Sequence, residues 1–140
     1  MQPVSVVTGR HPYQVAVHAS AIGCGIALAV VDRLPRSATE AMPAPVQILW
    51  IVLLIASGVA ALVGTWWRGR TSTGLRLELA GVLLLAGGTG MYAAALFTIT
   101  GTQALAAGSF VAGIAAGSWW RAVQIMRDLR HLRAVERSLR

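Results

Sequence analysis

Apolar residues form four long runs along the chain, and short polar segments separate these runs. No charged residue falls within residues 49–65 or 79–118. A helix that crosses a bilayer needs about 20 mostly apolar residues. The pattern therefore predicts an all-α, polytopic membrane protein with four transmembrane helices. The predicted spans cover about residues 13–31, 45–67, 77–100 and 102–120.

Three polar segments are predicted to connect the spans. The first, residues 35–45, is bounded by prolines, which lack the backbone donor that a helix interior needs. The second is residues 68–76, and the third, residues 100–103, has room only for a tight turn. These short connections indicate one transmembrane domain over residues 1–120.

The final segment, residues 121–140, continues the fourth span without a glycine or proline to end the helix. Apolar residues recur in it at helical spacing, namely Ile125, Leu129, Leu132, Val135 and Leu139. Five arginines lie mostly off this stripe, namely Arg127, Arg130, Arg133, Arg137 and Arg140. We predict a basic amphipathic helix on the cytoplasmic side. It binds anionic lipid, where each arginine contributes about 1 kcal/mol, or a protein partner, or copies of itself as a short coiled coil.

The distribution of arginine predicts the orientation of the spans. The chain has 140 residues and a net charge of +7, and all twelve basic residues are arginines. Residues 68–76 and 121–140 are rich in arginine, whereas on the opposite side Arg33 and Arg36 are balanced by Asp32 and Glu40. Arginine near membrane spans lies on the cytoplasmic side. An even number of spans puts both basic segments there, together with Arg10 and His11. We therefore predict an inner-membrane protein with both termini cytoplasmic and no nucleic-acid partner.

A short motif occurs twice, as GTWWRGR in residues 64–70 and as GSWWRAV in residues 117–123. Tryptophan favours the headgroup level of a bilayer, and arginine favours its cytoplasmic rim. Because the second and fourth spans both end on the cytoplasmic side, we interpret the repeat as an interface marker, with a duplicated helical hairpin as the alternative. The predicted interface anchors are Trp66, Trp67, Arg68, Trp119, Trp120 and Arg121.

Small residues recur at every fourth position in each span, which places each row on one helix face. Such rows let helix backbones approach closely in lipid. The first span has Ala19, Gly23 and Ala27. The fourth has two adjacent rows, which predicts that one faces the bundle and the other a second copy, although an ordinary compact bundle also needs such rows. The predicted packing and oligomerisation residues are Ala86, Gly90, Ala94, Gly108, Ala112, Gly113, Ala116 and Gly117.

Groups that could carry chemistry are scarce within the predicted spans. His18 and Glu78 are both placed near the inner leaflet, so they form a possible buried polar pair. Cys24 is the single cysteine, and no cluster of metal-ligating residues is evident. Neither H-E-x-x-H nor G-x-S-x-G occurs, and no acid pair suits general acid–base catalysis. We predict no enzyme activity, no catalytic residues, no cofactor and no metal.

In its size, its several spans and its charged cytoplasmic end, the chain resembles phage holins, although no residue motif defines that group. The resemblance implies a protein that assembles with copies of itself and opens the bilayer. The alternative is a structural or adaptor subunit that recruits a partner through residues 121–140. A transporter or channel ranks third. Such proteins carry ionisable residues at mid-membrane depth, and this chain has few.

Overall fold

The computed structural model describes residues 12–31, 34 and 36–138. Several residues used in the predictions lie outside the described residues, namely Arg10, His11, Asp32, Arg33, Leu139 and Arg140, and so does the side chain of Arg137. The prediction of an all-α fold is confirmed, since the described part of the chain contains helices and no strand. The helices are α1 (Pro12–Val31), α2 (Arg36–Ala41), α3 (Ala44–Thr65), α4 (Thr71–Thr100) and α5 (Leu105–Ser138), with a 3-10 turn at Gly101–Ala104 between the last two.

Three segments of the described chain are long and apolar enough to cross a membrane, which differs from the predicted four. They are Pro12–Val31, Ala44–Thr65 and Thr71–Val135. The third includes both α4 and α5, because the 3-10 turn joins them without a polar break. Its two helices nevertheless fold back on each other, with Glu78 of α4 against Arg121 of α5.

The connections differ from those predicted. Residues 35–45 were predicted as a loop, but they include α2 and the start of α3, whose first turn tolerates Pro45 because its donor would be unpaired there. Residues 68–76 were predicted as a second loop, but α4 already begins at Thr71. Hydropathy predicts the apolar part of a helix and misses the polar turns at its ends. The tight turn before α5 is a 3-10 turn whose Gly101 has a φ of 55°, in the region that favours glycine.

The long helices pack in chain order, each antiparallel to the next. α1 lies on α3, α3 on α4, and α4 on α5, while α2 covers part of α4. Within the described residues, α5 does not pack side by side with α1 or α3. The fold is therefore an open row of helices in which α4 is the most buried and α1 and α5 form the two edges.

Glycines permit the closest contacts between these helices. A Cβ at Gly81 of α4 would lie 2.6 Å from the carbonyl oxygen of Ser57 in α3. A Cβ at Gly58 of α3 would lie 2.6 Å from the carbonyl oxygen of His18 in α1. The predicted packing face of α1 is wrong, since Ala19, Gly23 and Ala27 are exposed. The buried residues of this helix are His18, Ala21 and Gly25.

Two buried clusters hold the row together. In the first, the Trp50 and Tyr92 rings of α3 and α4 stack with centroids 4.7 Å apart, among residues that include Ala21 and Leu85. The second cluster consists of Val82, Ala122, Ile125 and Leu129. It joins α4 to the part of α5 that was predicted as a cytoplasmic extension. Large apolar side chains elsewhere face outward, among them Ile26, Val30, Ile48, Leu49, Val52 and Phe110. This outward apolar surface is compatible with a membrane protein.

Candidate functional site

Glu78 is the most buried acid among the described residues, with 4% of its surface exposed. Its Oε1 accepts a hydrogen bond from Gln14 Nε2 at 2.8 Å. The same oxygen accepts from Arg121 Nε at 3.0 Å and from Arg121 Nη2 at 2.8 Å. One carboxylate oxygen therefore joins α1, α4 and α5.

Glycines place the Glu78 backbone directly against α3. A Cβ at Gly64 would lie 2.9 Å from the Cα of Glu78 and 2.7 Å from the carbonyl oxygen of Gly74. Gln14 lies in the first turn of α1, and Arg121 follows the tryptophan pair of α5. Four helix segments thus meet at one level, which we call the Glu78 end of the bundle. The carboxylate is neutralised there by a guanidinium that is itself largely buried, which is what a charge in a poorly solvated site requires.

His18 lies one turn after Gln14 on the same face of α1 and is 3% exposed. Its Nδ1 has no hydrogen-bond partner among the described residues. The predicted pair of His18 and Glu78 shares no hydrogen bond among the described side chains; the Glu78 carboxylate is bonded to Gln14 and Arg121 instead. Sequence reasoning assigned Arg121 to the interface and overlooked Gln14.

The two copies of the tryptophan–arginine motif both lie at the Glu78 end, but their arginines differ. Trp66, Trp67 and Arg68 are exposed, and so are Trp119 and Trp120. Arg121 is bound to Glu78, whereas Arg68 makes no hydrogen bond or ion pair with any described residue. The first copy contributes to the site through Gly64, and the second contributes through Arg121.

The predicted packing residues fall on different surfaces. Ala86 is buried, and Gly90 faces α5, since a Cβ there would lie 3.9 Å from the Cβ of Ala115. Gly108 lies under the Phe97 ring, and a Cβ at Gly108 would lie 2.7 Å from Cζ of Phe97. Ala112 is half-buried. The remaining members, Ala94, Gly113, Ala116 and Gly117, are exposed.

The C-terminal part of α5 is partly covered by α4. Ile125 and Leu129 pack on Val82, with Leu75 and Leu79 beside them. The apolar stripe predicted to face lipid or a partner is therefore already occupied over these two residues. Leu132 is half-buried and Val135 is exposed. The side chains of Arg127, Arg130 and Arg133 are exposed on the other faces of the helix.

The described residues include no group of three or more His, Cys, Asp or Glu placed to hold a metal ion, and Cys24 is an exposed free thiol. Comparison of the chain with protein-family models, with curated proteins and with solved structures finds no match.

Proposed function

We propose that this protein is a small, non-catalytic, four-span protein of the inner membrane that assembles with copies of itself and permeabilises the bilayer, as phage holins do. In this proposal α1, α3, α4 and α5 each cross once. Both termini are cytoplasmic, and the Glu78 end faces the cytoplasm.

The dimensions of α4 and α5 support two crossings by the third apolar segment. A single helix of 65 residues would be about 98 Å long at 1.5 Å per residue. The hydrocarbon core of a bilayer is only about 30 Å thick. Folded back on each other, α4 and α5 are about 45 and 51 Å long, enough for one crossing each with helical turns outside the core. This pairing brings the C-terminal part of α5 back to the Glu78 end.

The positions of the charges support the orientation. Arg68, Arg70 and Arg76 lie at or next to the Glu78 end, and the exposed arginines of α5 extend beyond it. At the opposite end, Arg36 is accompanied by Glu40. An excess of arginine on one side is typical of the cytoplasmic face.

The exposed row on α5 is the observation that carries self-assembly. Gly113 and Gly117 point away from the rest of the chain, and a Cβ at either position would have nothing within 4 Å. Ser109 continues the row and is also exposed. Because α5 is an edge of the open row of helices, a second copy can approach it without displacing any contact. Small residues permit the close backbone contact by which helices associate in lipid.

We expect Gly113→Leu/Gly117→Leu to abolish depolarisation when the protein is expressed in bacteria. Two leucines on this face keep a neighbouring helix away while leaving the contacts within the chain intact. Membrane potential and viability are followed after induction, with the amount of protein in the membrane measured in parallel. The matched control is Gly87→Leu, because Gly87 is an exposed glycine of α4 with nothing within 4 Å of a Cβ.

The wild type and the Gly87 variant are expected to depolarise the cell abruptly, and the double variant to leave the potential unchanged. An unchanged potential for the wild type, with the protein confirmed in the membrane, would refute the permeabilising function. Equal loss in the Gly87 variant would show that added bulk, and not the α5 row, is responsible.

An adaptor function is the second candidate, and the covered stripe of α5 favours it. With Ile125 and Leu129 held against α4, Arg127, Arg130 and Arg133 form a preformed basic surface. A partner that binds a preformed helix does not have to order it, which reduces the entropic cost of binding.

We expect Arg127→Gln/Arg130→Gln/Arg133→Gln to lose any cytoplasmic partner while remaining in the membrane, because these side chains make no ion pair with described residues. The measurement is quantitative co-purification of the full chain from solubilised membranes, with Arg76→Gln as the control arginine. A wild type that purifies only with itself, or a triple variant that retains its partner, would exclude an adaptor acting through this surface.

A further inference from the structure

A groove of about 440 Å³ lies on the outer surface where α1 meets the last turns of α3. Its aliphatic part is formed by Ile22, Val59, Leu62 and Val63. The groove is shallow and open along the outer surface, so it contacts one side of a bound molecule. The groove therefore has room for part of a flexible apolar ligand.

The lining of the groove changes from aliphatic to aromatic and then to cationic toward the Glu78 end. The aliphatic residues are followed by Trp66 and Trp67 and then by Arg68. Both tryptophans are about half exposed. Tryptophan rings favour the headgroup level of a bilayer. The order aliphatic, aromatic, cationic matches the order acyl chain, interface, phosphate in a phospholipid.

Arg68 is available to a ligand. It is exposed and has no hydrogen-bond or ion-pair partner among the described residues, in contrast to Arg121. Arg70 lies two residues away and is also exposed, and residues 66–70 contain no acid. A guanidinium presents a planar set of donors that binds a phosphate through two hydrogen bonds. The mouth of the groove is thus complementary to an anion.

A second copy of this chain fits the groove less well than a lipid does. Copies inserted in the same orientation present their Glu78 ends at the same depth. A neighbour that packs this same face against the groove would bring its own Arg68 and Arg70 toward this arginine pair, and like charges across an interface are unfavourable. An anionic phospholipid supplies the opposite charge at this depth.

We infer that the groove between α1 and α3 binds one anionic phospholipid, whose acyl chain contacts Ile22, Val59 and Val63 and whose phosphate is bound by Arg68. The inference rests on the membrane placement and orientation in the proposed function. It does not depend on self-assembly or permeabilisation.

Lipid binding is tested on the full chain purified in detergent, by native mass spectrometry with added phosphatidylglycerol or phosphatidylethanolamine of the same acyl composition. We expect one retained phosphatidylglycerol and a preference for it of about fivefold, the equivalent of the 1 kcal/mol that one arginine contributes near anionic lipid. Arg68→Gln is expected to remove the preference. Arg76→Gln, at an exposed arginine of α4 outside the groove, is expected to keep it.

A second pair of variants tests the apolar part. Val59→Trp fills the groove and is expected to reduce retention of both lipids, whereas Val52→Trp, at an exposed valine outside the groove, is expected to have no effect. Equal retention of the two lipids would overturn the site. So would a preference that survives Arg68→Gln, or equal effects of the two tryptophan variants.

Failure of this site and failure of the proposed function give different results. Depolarisation without selective lipid retention removes the lipid site and leaves permeabilisation in place. Selective retention that depends on Arg68, in a protein that does not depolarise the cell, removes permeabilisation and supports the lipid site.

Discussion

Arg121→Gln is expected to destabilise the fold by about 3 kcal/mol. Removing one partner of a buried ion pair leaves an uncompensated charge, at a cost of about 3–5 kcal/mol. The lower end of this range applies because the Arg121 side chain is 20% exposed, while that of Glu78 is 5% exposed. For a chain of this size the midpoint temperature Tm should fall by about 6–12 °C. The measurement is thermal unfolding of the protein in detergent, followed by tryptophan fluorescence.

The difference in exposure also predicts an asymmetry between the two partners. Glu78→Gln should cost less, because the unpaired guanidinium of Arg121 can still reach water. The double variant should cost less than the sum of the single variants, since each removes the same contact. Arg76→Gln, at an exposed arginine without a partner in the described chain, should change the free energy of unfolding by no more than about 0.5 kcal/mol. Equal Tm values for the Arg76 and Arg121 variants would show that Glu78 does not depend on its ion pair.

Gly81→Ala is expected to have the second large effect, also about 3 kcal/mol. The new Cβ would lie 2.6 Å from the carbonyl oxygen of Ser57 and 2.7 Å from the Cβ of Ala61. The Ser57 oxygen belongs to the backbone, so no side-chain rotation relieves the contact, and α3 and α4 must separate. Overpacking of a core costs about 1–3 kcal/mol, and a clash with backbone belongs at the upper end. The measurement is the same thermal unfolding in detergent.

Gly87→Ala provides the control on the same helix. No atom lies within 4 Å of a Cβ at Gly87, and this glycine is exposed. Replacing it should leave the protein unchanged or stabilise it by up to about 1 kcal/mol, since alanine favours helix over glycine by that amount. The same chemical change is thus expected to lower Tm at Gly81 and to leave it unchanged or raise it at Gly87. A shift of the same sign and size would refute the close contact between α3 and α4.

Helix positions could be predicted closely wherever apolar runs end at proline, tryptophan or arginine. The first span was predicted at 13–31 and α1 is Pro12–Val31. The start of α4 was missed because its first residues, TSTGLR, are polar. They form a helix because Leu75 and Leu79 pack beside Ile125 and Leu129 of α5. Tertiary packing, which no local pattern encodes, extends the helix.

The buried site could be predicted only in part. The sequence identified Glu78 as a member of a buried polar pair but gave it His18, and not Arg121, as the partner; the arginine nearest to it along the chain is Arg76. Residues two apart on a helix do not face each other, so Arg76 is exposed while Glu78 is buried. Arg121 lies closer to the turn between α4 and α5 than Glu78 does, so the spacing of the hairpin alone does not pair them. Which face of α1 is buried could not be predicted, because small residues lie on several of its faces.

The packing of each long helix on the preceding one has a consequence for biosynthesis. Contacts between neighbours along the chain give a low contact order, which favours rapid folding. Each long helix after α1 therefore packs on a helix that has already been synthesised. Glu78 is the exception, since its carboxylate is synthesised with α4 and its ion-pair partner Arg121 is synthesised later, with α5. Until Arg121 has been added, the nascent protein holds an uncompensated charge, so neutralisation of Glu78 reports that synthesis has passed Arg121.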